Sequence, residues 1–178
     1  MTYQLRDIKG SVVVITGATT GIGAAAAKQL VELGCKVVLN ARNEAKLQEM
    51  VASLGADNAA YVAGDSSIPD VSRAVAKKAI DTFGTIDCVV PNAGIGMYGS
   101  VLDYSDDEVN RMMRTNYEGS VHIVRATLPT MLAKKAGEPK LATFLRADDV
   151  AFQIVQIMRQ PRTVRTHIWT LWSMQQQS

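Results

Sequence analysis

Apolar residues along the chain form four short runs, and longer amphipathic stretches separate them. The runs cover residues 12–15, 37–39, 59–63 and 86–90. A mostly apolar run of this length is typical of a parallel strand that is buried on both faces. The alternation of such runs with helix-like stretches predicts an α/β fold, a Rossmann-type doubly wound parallel sheet with helices on both faces.

Between the runs, apolar residues recur at the three- and four-residue spacing of a helix. The first helix is predicted over residues 21–33, with Ile22 on its apolar face and Gly34 at its end. Asn43 is placed to cap the second helix, and the third helix covers residues 69–83. These helices are expected to pack on the sheet.

A longer helix is predicted after Ser105, which begins the capping box S-x-x-E with Glu108. Its apolar stripe comprises Val109, Met112, Met113, Val121, Val124, Leu128 and Met131. Asn116 falls on this stripe, so its side chain is predicted to be buried. A buried amide needs hydrogen-bond partners, because leaving it unsatisfied costs on the order of 1–3 kcal/mol.

The first apolar run is followed by a glycine-rich turn, residues 16–23, which reads T-G-A-T-T-G-I-G. The glycines that allow a tight turn and a close approach to a ligand are Gly17, Gly21 and Gly23. Thr19 and Thr20 offer hydroxyl groups at a helix start, where backbone N–H groups lack partners and the helix dipole is positive. This geometry predicts a pyrophosphate site. The alternative is a strand-to-helix turn that binds no ligand.

The spacing T-G-x-x-x-G-x-G resembles the glycine motif of the short-chain dehydrogenase/reductase family. Two later motifs add to the resemblance, N-A-G at residues 92–94 and T-N-Y-E-G around Asn116. The resemblance implies an oxidoreductase that transfers hydride between a nicotinamide cofactor and a carbonyl or alcohol substrate. The expected cofactor contacts are Gly17, Thr19, Thr20, Gly21, Ile22, Gly23, Asn40, Arg42, Asp65, Ser66, Asn92, Ala93 and Gly94.

The end of the second run discriminates between the two nicotinamide cofactors. A fold that prefers NAD places an acidic residue there to bind the ribose hydroxyl groups, whereas a cation suits the 2′-phosphate of NADP. This chain has Asn40 at that point, and Arg42 follows. A planar guanidinium matches a phosphate group well, so NADP is predicted over NAD. The alternative is that Arg42 is a solvated residue near a helix start.

Two further segments follow the third and fourth runs. In the family that the chain resembles, an Asp at the position of Asp65 binds the adenine ring, and an alternative role is to cap the helix that starts near Pro69. The family motif after the fourth strand is N-N-A-G, and here Pro91 replaces its first Asn. We expect the remaining N-A-G to keep its place beside the cofactor.

Asn116 resembles the Asn of the family's catalytic tetrad, which holds a water molecule in the proton relay. The resemblance therefore implies a catalytic role for Asn116, and the alternative is a core Asn with no chemical role. The other catalytic residues of the family are a Ser and the pair in Y-x-x-x-K, and no Y-x-x-x-K occurs in the 178 residues. Family members commonly pair through the helix that contains this Asn, so the resemblance also implies a homodimer or homotetramer.

The resemblance breaks near residues 137–141, and the chain continues into a predicted helix over residues 145–160 and a β-rich segment over residues 164–172. These resemble the last helix and strand of the family, so the single dinucleotide-binding domain, residues 1–178, is incomplete in its second half. Either the intervening segment is deleted in the gene or by splicing, or the complete protein contains residues that this sequence omits. A deletion would expose an apolar sheet edge that promotes aggregation, which favours the second explanation. A deletion would leave a catalytically inactive NADP-binding protein or a truncated product.

Composition and charge bear on other classes of function. A hydrophobic fraction of 47% and a net charge of +2 are ordinary for a globular protein, and the Lys and Arg residues are scattered, so no nucleic-acid partner is predicted. Cys35 and Cys88 are isolated, which predicts neither a disulfide nor a metal site. No signal-peptide core or run of membrane-spanning length occurs, so a cytoplasmic protein without a membrane partner is expected.

Overall fold

Parallel strands form the centre of the fold. The computed structural model describes residues 7–96 and 100–135. Within them the strands are β1 (Val12–Thr16), β2 (Lys36–Ala41), β3 (Ala59–Ala63) and β4 (Cys88–Val90), and they lie in the order β3-β2-β1-β4. Every pairing is parallel, β1 with β2 and β4, and β2 with β3. The chain thus returns to the other side of β1 after β3, which confirms the predicted doubly wound sheet.

Helices alternate with these strands. In chain order they are α1 (Gly21–Glu32), α2 (Glu44–Leu54), α3 (Pro69–Phe83), a short 3₁₀ helix (Val101–Asp103), α4 (Asp106–Met112), a π-helical segment (Met113–Glu118) and α5 (Gly119–Lys135). The predicted caps are present: Asn43 accepts a hydrogen bond from the N–H of Lys46, and Ser105 and Glu108 form a capping box. Because α4, the π-helical segment and α5 are continuous in sequence, the long helix predicted after Ser105 contains a π turn.

Side chains of the strands point alternately to the two faces of the sheet and fill two cores. On one face, Val14 of β1 belongs to a buried cluster with Val75 of α3 and Ile123 of α5. On the other face, Ile15 belongs to a cluster with Leu47 of α2. Burial on both sides explains why β1 is apolar at consecutive positions.

Three of the four strands have bounds that differ from the prediction, and β1 extends one residue further than predicted, to Thr16. β3 and α3 have the predicted bounds, whereas β2 is longer and includes Asn40. β4 is shorter than the predicted residues 86–90. One carboxylate oxygen of Asp87 accepts a hydrogen bond from the N–H of Val12 at 2.9 Å, so strand pairing begins only at Cys88, beside Val13.

Two predictions about helix faces are wrong. Ile22 is 74% exposed, because it lies in the first turn of α1 and lines a cavity instead of packing on the sheet. Asn116 is exposed, although the apolar stripe predicts burial. It lies in the π-helical segment, where extra residues per turn shift the chain out of the 3.6-residue register on which the stripe depends. Val109, Met113 and Leu128 of that stripe are exposed as well.

None of the helices in the described part of the chain is both long enough and apolar enough to cross a membrane. The predicted break near residues 137–141, the helix over residues 145–160 and the β-rich segment over residues 164–172 lie outside the described residues. The described residues belong to one unit, Met1–Gly137. The assignment of residues 1–178 to a single domain therefore stays a prediction.

Candidate functional site

A cavity of about 640 Å³ opens at the carboxyl ends of the strands. The predicted cofactor contacts that line it are Gly17, Thr19, Thr20, Gly21, Ile22, Asn40, Arg42, Asp65, Ser66, Asn92, Ala93 and Gly94. Gly23 is buried and is not part of the cavity wall. These residues come from the ends of all four described strands, at the place where open α/β sheets bind their ligands.

The glycine turn packs closely against the segment after β4. Gly17 has a φ of +64°, and a Cβ atom there would lie 2.8 Å from the Cα atom of Ala93. A Cβ atom on Gly23 would lie 2.5 Å from the carbonyl oxygen of Gly17. By contrast, the Cβ position of Gly21 has no heavy atom within 4 Å. Gly17 and Gly23 therefore permit packing within the protein, whereas Gly21 leaves the backbone open to a ligand.

The N-terminus of α1 lies at this cavity. Thr20 is the N-cap residue of α1, and its side chain forms no capping hydrogen bond. The first turn contains no acidic residue. The first N–H groups of an α-helix have no partner within the helix and carry a partial positive charge. Together with the hydroxyl groups of Thr19 and Thr20, they suit an anion with several acceptor oxygens, such as a pyrophosphate.

Hydrogen bonds connect the glycine turn to the segment after β4. The hydroxyl oxygen of Thr16 accepts from the backbone N–H groups of Asn92 and Ala93, both at 3.0 Å. The side-chain amide of Asn92 donates to the carbonyl oxygens of Thr16 and Gly17 at 3.0 and 3.1 Å. Asn92 therefore positions the turn, although the sequence predicts it only as a cofactor contact.

Asn40 is almost completely buried at the end of β2. Its side-chain amide nitrogen donates to the carbonyl oxygens of Val62 and Gly64 at 3.0 and 3.2 Å. The donor atoms of Asn40 are thus used to connect β2 with the end of β3. Arg42, two residues later, is exposed and lines the cavity. The cation at this end of the cavity is therefore accessible to a ligand.

Asp65 closes a turn between β3 and α3. Its carboxylate accepts from the backbone N–H of Ser67 at 2.9 Å. This hydrogen bond is the main reason that the pKa of Asp65 lies below its usual range, and the Ser67 hydroxyl and the positive charges of Arg42 and Arg111 lower the pKa further. The N-cap of α3 is Ile68, without a side-chain cap, so the alternative in which Asp65 caps that helix is wrong.

Asn116 contacts the segment that follows β4. Its side-chain oxygen accepts from the N–H of Ile95 at 2.8 Å, and its side-chain nitrogen donates to the carbonyl oxygen of Ile95 at 2.9 Å. The backbone carbonyl of Asn116 accepts from the hydroxyl of Ser120 at 2.7 Å. Asn116 does not line the cavity, but it forms hydrogen bonds with Ile95, which does line the cavity.

The sequence does not identify every residue of the cavity wall. The lining residues that it missed are Ala41, Asn43, Gly64, Ile95 and Thr115. Ile95 follows the N-A-G motif, so extending that motif by one residue would have found it, and Thr115 is the first residue of the T-N-Y-E-G motif itself. Within the described ranges, no group of three or more His, Cys, Asp and Glu residues is placed to hold a metal ion.

Known proteins are similar to this chain in sequence and in fold. Residues 11–138 match the model of the short chain dehydrogenase family. An uncharacterized oxidoreductase of Staphylococcus epidermidis is 37% identical over 133 residues, which cover 75% of this chain and 57% of the relative.

Two solved structures are similar to the described fold. The crystal structure of 3-ketoacyl-(acyl-carrier-protein) reductase from Brucella melitensis complexed with NADH has a TM-score of 0.70 and 32% identity, over 72% of this chain and 53% of that chain. L-sorbose reductase from Gluconobacter frateurii complexed with NADPH and L-sorbose has a TM-score of 0.67 and 30% identity, over 72% of this chain and 51% of that chain.

This chain spans about half the length of these relatives. The match nevertheless includes the parallel sheet, the glycine turn and the helix that contains Asn116. With a family match over most of its residues and the glycine turn at the carboxyl end of β1, the chain belongs to the short chain dehydrogenase family of oxidoreductases.

Proposed function

We propose that this chain binds NADP(H), and that the protein is an oxidoreductase that transfers hydride between NADP(H) and a carbonyl or alcohol substrate. The observation that carries the proposal is the layout of the cavity. A helix N-terminus without acidic residues lies beside the glycine turn, and an exposed arginine lies at the end of the neighbouring strand β2. The first feature suits a pyrophosphate, and the second suits a 2′-phosphate.

The pyrophosphate would be held at the start of α1. Thr19, Thr20 and the backbone at Gly21 and Ile22 all line the cavity there. Gly21 has open space at its Cβ position, so a phosphate oxygen can come close to the backbone. The residues present therefore fit the diphosphate of a dinucleotide.

The preference for NADP rests on Arg42 and Asn40. Enzymes that bind the ribose hydroxyl groups of NAD use a carboxylate near the end of the second strand. Here Asn40 is buried with its amide donors committed to β3, and the exposed group is the guanidinium of Arg42. Membership of the family does not decide the cofactor, because one similar structure is complexed with NADH and another with NADPH.

The chemistry needs a bound nicotinamide, which supplies or accepts the hydride. Asn116 fixes Ile95 and thereby the cavity wall formed by the segment after β4, and by family resemblance we assign it to the proton relay as well. We further propose that the Ser and the Y-x-x-x-K pair of the complete enzyme lie outside this sequence, since the 178 residues contain no Y-x-x-x-K. The absence of Y-x-x-x-K from the 178 residues also supports the alternative, an inactive NADP-binding protein or a truncated product.

Intact-mass measurement of the protein isolated from its source separates these two cases. The 178 residues have a mass of 19.2 kDa. A family enzyme with about two more βαβ units would have a mass of about 26 kDa. A protein of the larger mass supports the complete enzyme, and a protein of the smaller mass supports the inactive form.

We also propose that the protein is cytoplasmic and forms a homodimer or homotetramer. The long helix from α4 to α5 exposes several large apolar side chains that a second copy of the chain would cover: Val109, Met113, Tyr117, Leu128 and Leu132. Exposed apolar residues concentrated on one helix are typical of an interface. Sedimentation velocity of the 178-residue chain tests this, and a monomer at all concentrations would contradict it.

Calorimetric titration of the 178-residue chain with NADPH and NADH tests the cofactor proposal. We expect binding of both nucleotides and tighter binding of NADPH. Equal affinities, or tighter binding of NADH, would contradict the preference for NADP. Absence of binding to a folded chain would contradict the whole proposal.

A further inference from the structure

The long helix contributes one residue to the described part of the cavity wall, Thr115. This residue lies in the π-helical segment and is half-buried. The other lining residues come from the strand ends, the turns after them and the first turn of α1. The N–H and C=O groups of a helical backbone bond to each other within the helix, so the polar group that Thr115 can offer to a ligand is its side-chain hydroxyl.

Two contacts fix the position of this part of the helix. The residue after Thr115 is Asn116, whose side chain forms hydrogen bonds with the backbone of Ile95 at 2.8 and 2.9 Å. Gly119 is buried against the loop after β3, since a Cβ atom there would lie 3.1 Å from the carbonyl oxygen of Ser66. Ile95 and Ser66 both line the cavity. Thr115 therefore belongs to a turn of the helix that is held against the cavity wall by its neighbours.

The hydroxyl group of Thr115 has no hydrogen-bond partner among the residues that the structure describes. A hydroxyl side chain within a helix commonly bonds to a carbonyl of the preceding turn. Two later residues of the long helix follow this rule: Ser120 donates to the carbonyl oxygen of Asn116 at 2.7 Å, and Thr127 donates to that of Ile123 at 2.8 Å. The Thr115 hydroxyl is thus available to a ligand in the cavity, both as a donor and as an acceptor.

We propose that Thr115 is a nucleotide-binding residue whose hydroxyl group forms a hydrogen bond with a ribose hydroxyl group of the bound dinucleotide. This inference rests on the proposed function, because it concerns the same cavity. A threonine hydroxyl both donates and accepts, as a ribose hydroxyl does, so the two can pair in either direction. The 2′-phosphate, by contrast, is matched by a cation, and Arg42 lines the cavity at the end of β2. We therefore assign to Thr115 a ribose hydroxyl that NADPH and NADH share.

Replacing Thr115 with Val removes the hydroxyl and keeps the branched shape of the side chain. We expect T115V to weaken NADPH and NADH equally, by about twofold to tenfold, as expected for loss of one neutral hydrogen bond. T115S keeps the hydroxyl and should bind both nucleotides nearly as tightly as the unaltered chain. T127V is the matched control, because Thr127 is a buried threonine of the same helix whose hydroxyl bonds to the carbonyl oxygen of Ile123.

Calorimetric titration of the 178-residue chain and of the three variants with NADPH, NADH and ADP tests the inference. Equal losses for NADPH and NADH in T115V, with no loss in T115S or T127V, support the ribose contact. A loss for ADP as well assigns the contact to the adenosine ribose, and an unchanged ADP affinity assigns it to the nicotinamide ribose. Unchanged binding in T115V, a loss confined to NADPH, or an equal loss in T115S or T127V overturns the inference while leaving the proposed function in place. Absence of binding to the unaltered chain would instead overturn the proposed function.

Discussion

The side chain of Asn116 forms two hydrogen bonds with the backbone of one residue, Ile95, at 2.8 and 2.9 Å. These bonds connect the π-helical segment to the segment after β4, which forms part of the cavity wall. Gly94 also lies close to this amide, since a Cβ atom added at Gly94 would be 3.4 Å from the Asn116 side-chain oxygen. The π turn therefore places a polar side chain where it supports the wall of the cavity, and π turns are frequent at functional sites.

Replacement of Asn116 with Ala should loosen this segment. Loss of two hydrogen bonds in a partly exposed setting is expected to lower the free energy of unfolding by about 1–2 kcal/mol. Because the segment lines the cavity, we expect nucleotide affinity to fall as well. Urea unfolding and calorimetric titration of the 178-residue chain measure the two effects.

Asn110 offers a matched control for this substitution, because it is an exposed Asn of α4, six residues before Asn116. We expect N110A to change neither stability nor affinity. If N116A binds nucleotide as tightly as the unaltered chain, the supporting role of Asn116 is wrong.

An acidic residue at position 40 should destabilise the chain instead of simply changing its cofactor. Asn40 is buried, and its amide nitrogen donates to two carbonyl oxygens, those of Val62 and Gly64. In N40D a carboxylate oxygen would face these carbonyls, and neither could donate a hydrogen bond. We expect a loss of about 2–4 kcal/mol in the free energy of unfolding at pH 7, because the new buried charge has no partner and the two carbonyl oxygens lose their donor.

Unfolding of N40D by urea at pH 7 and pH 5 measures this effect. Protonation of a carboxyl group in this position would restore a donor, so its pKa should be raised and the variant should recover stability as the pH falls. A variant as stable as the unaltered chain at pH 7 would contradict the assigned hydrogen bonds. It would also support a direct contact between Asn40 and the ribose of the proposed cofactor.

The pKa of Asp65 predicts a dependence of stability on pH. Its carboxylate accepts from the N–H of Ser67, which favours the charged form, so the pKa in the folded state is lower than in the unfolded state. The stabilisation is therefore fully present above the ordinary Asp pKa of about 3.9 and is lost as the pH falls through the lower folded value. D65N lacks this charge and should be less stable than the unaltered chain by about 1 kcal/mol at pH 7.

Urea unfolding of both proteins at pH 7 and pH 3 checks the sign. The difference in unfolding free energy should shrink at pH 3, which lies below the ordinary Asp pKa of about 3.9, because the stabilisation is lost as the pH falls from there. A difference that is constant with pH, or larger at pH 3, would mean that the charge of Asp65 contributes nothing to folding.

The parts of the fold that the sequence predicts correctly are those with local signals. β3 and α3 have the predicted bounds because apolar composition, a proline at the helix start and a glycine after its end all lie within the segment itself. The glycine turn is recognisable for the same reason, since its conformation depends on residues within one motif.

The sequence does not show contacts between distant segments. The donors of Asn40 bind residues more than twenty positions away, and Asn116 binds a residue twenty-one positions before it. No pattern of apolar spacing contains such pairs. The π turn also makes the predicted apolar stripe inaccurate, because a stripe based on 3.6 residues per turn assumes that the helix is regular throughout.

Arg42 carries the predicted preference for NADP, and its replacement with Ala gives the most direct test. Charge-assisted hydrogen bonds to a phosphate contribute about 1.5–3 kcal/mol, so NADPH affinity should fall by about tenfold to a hundredfold in R42A. NADH lacks the 2′-phosphate, so its affinity should change by less than about twofold. Titration of the 178-residue chain with both nucleotides at low salt measures the ratio, and R125A controls for the loss of one positive charge. Equal losses for NADPH and NADH would show that Arg42 is a solvated residue beside the cavity, and the choice of cofactor would then have to depend on other groups.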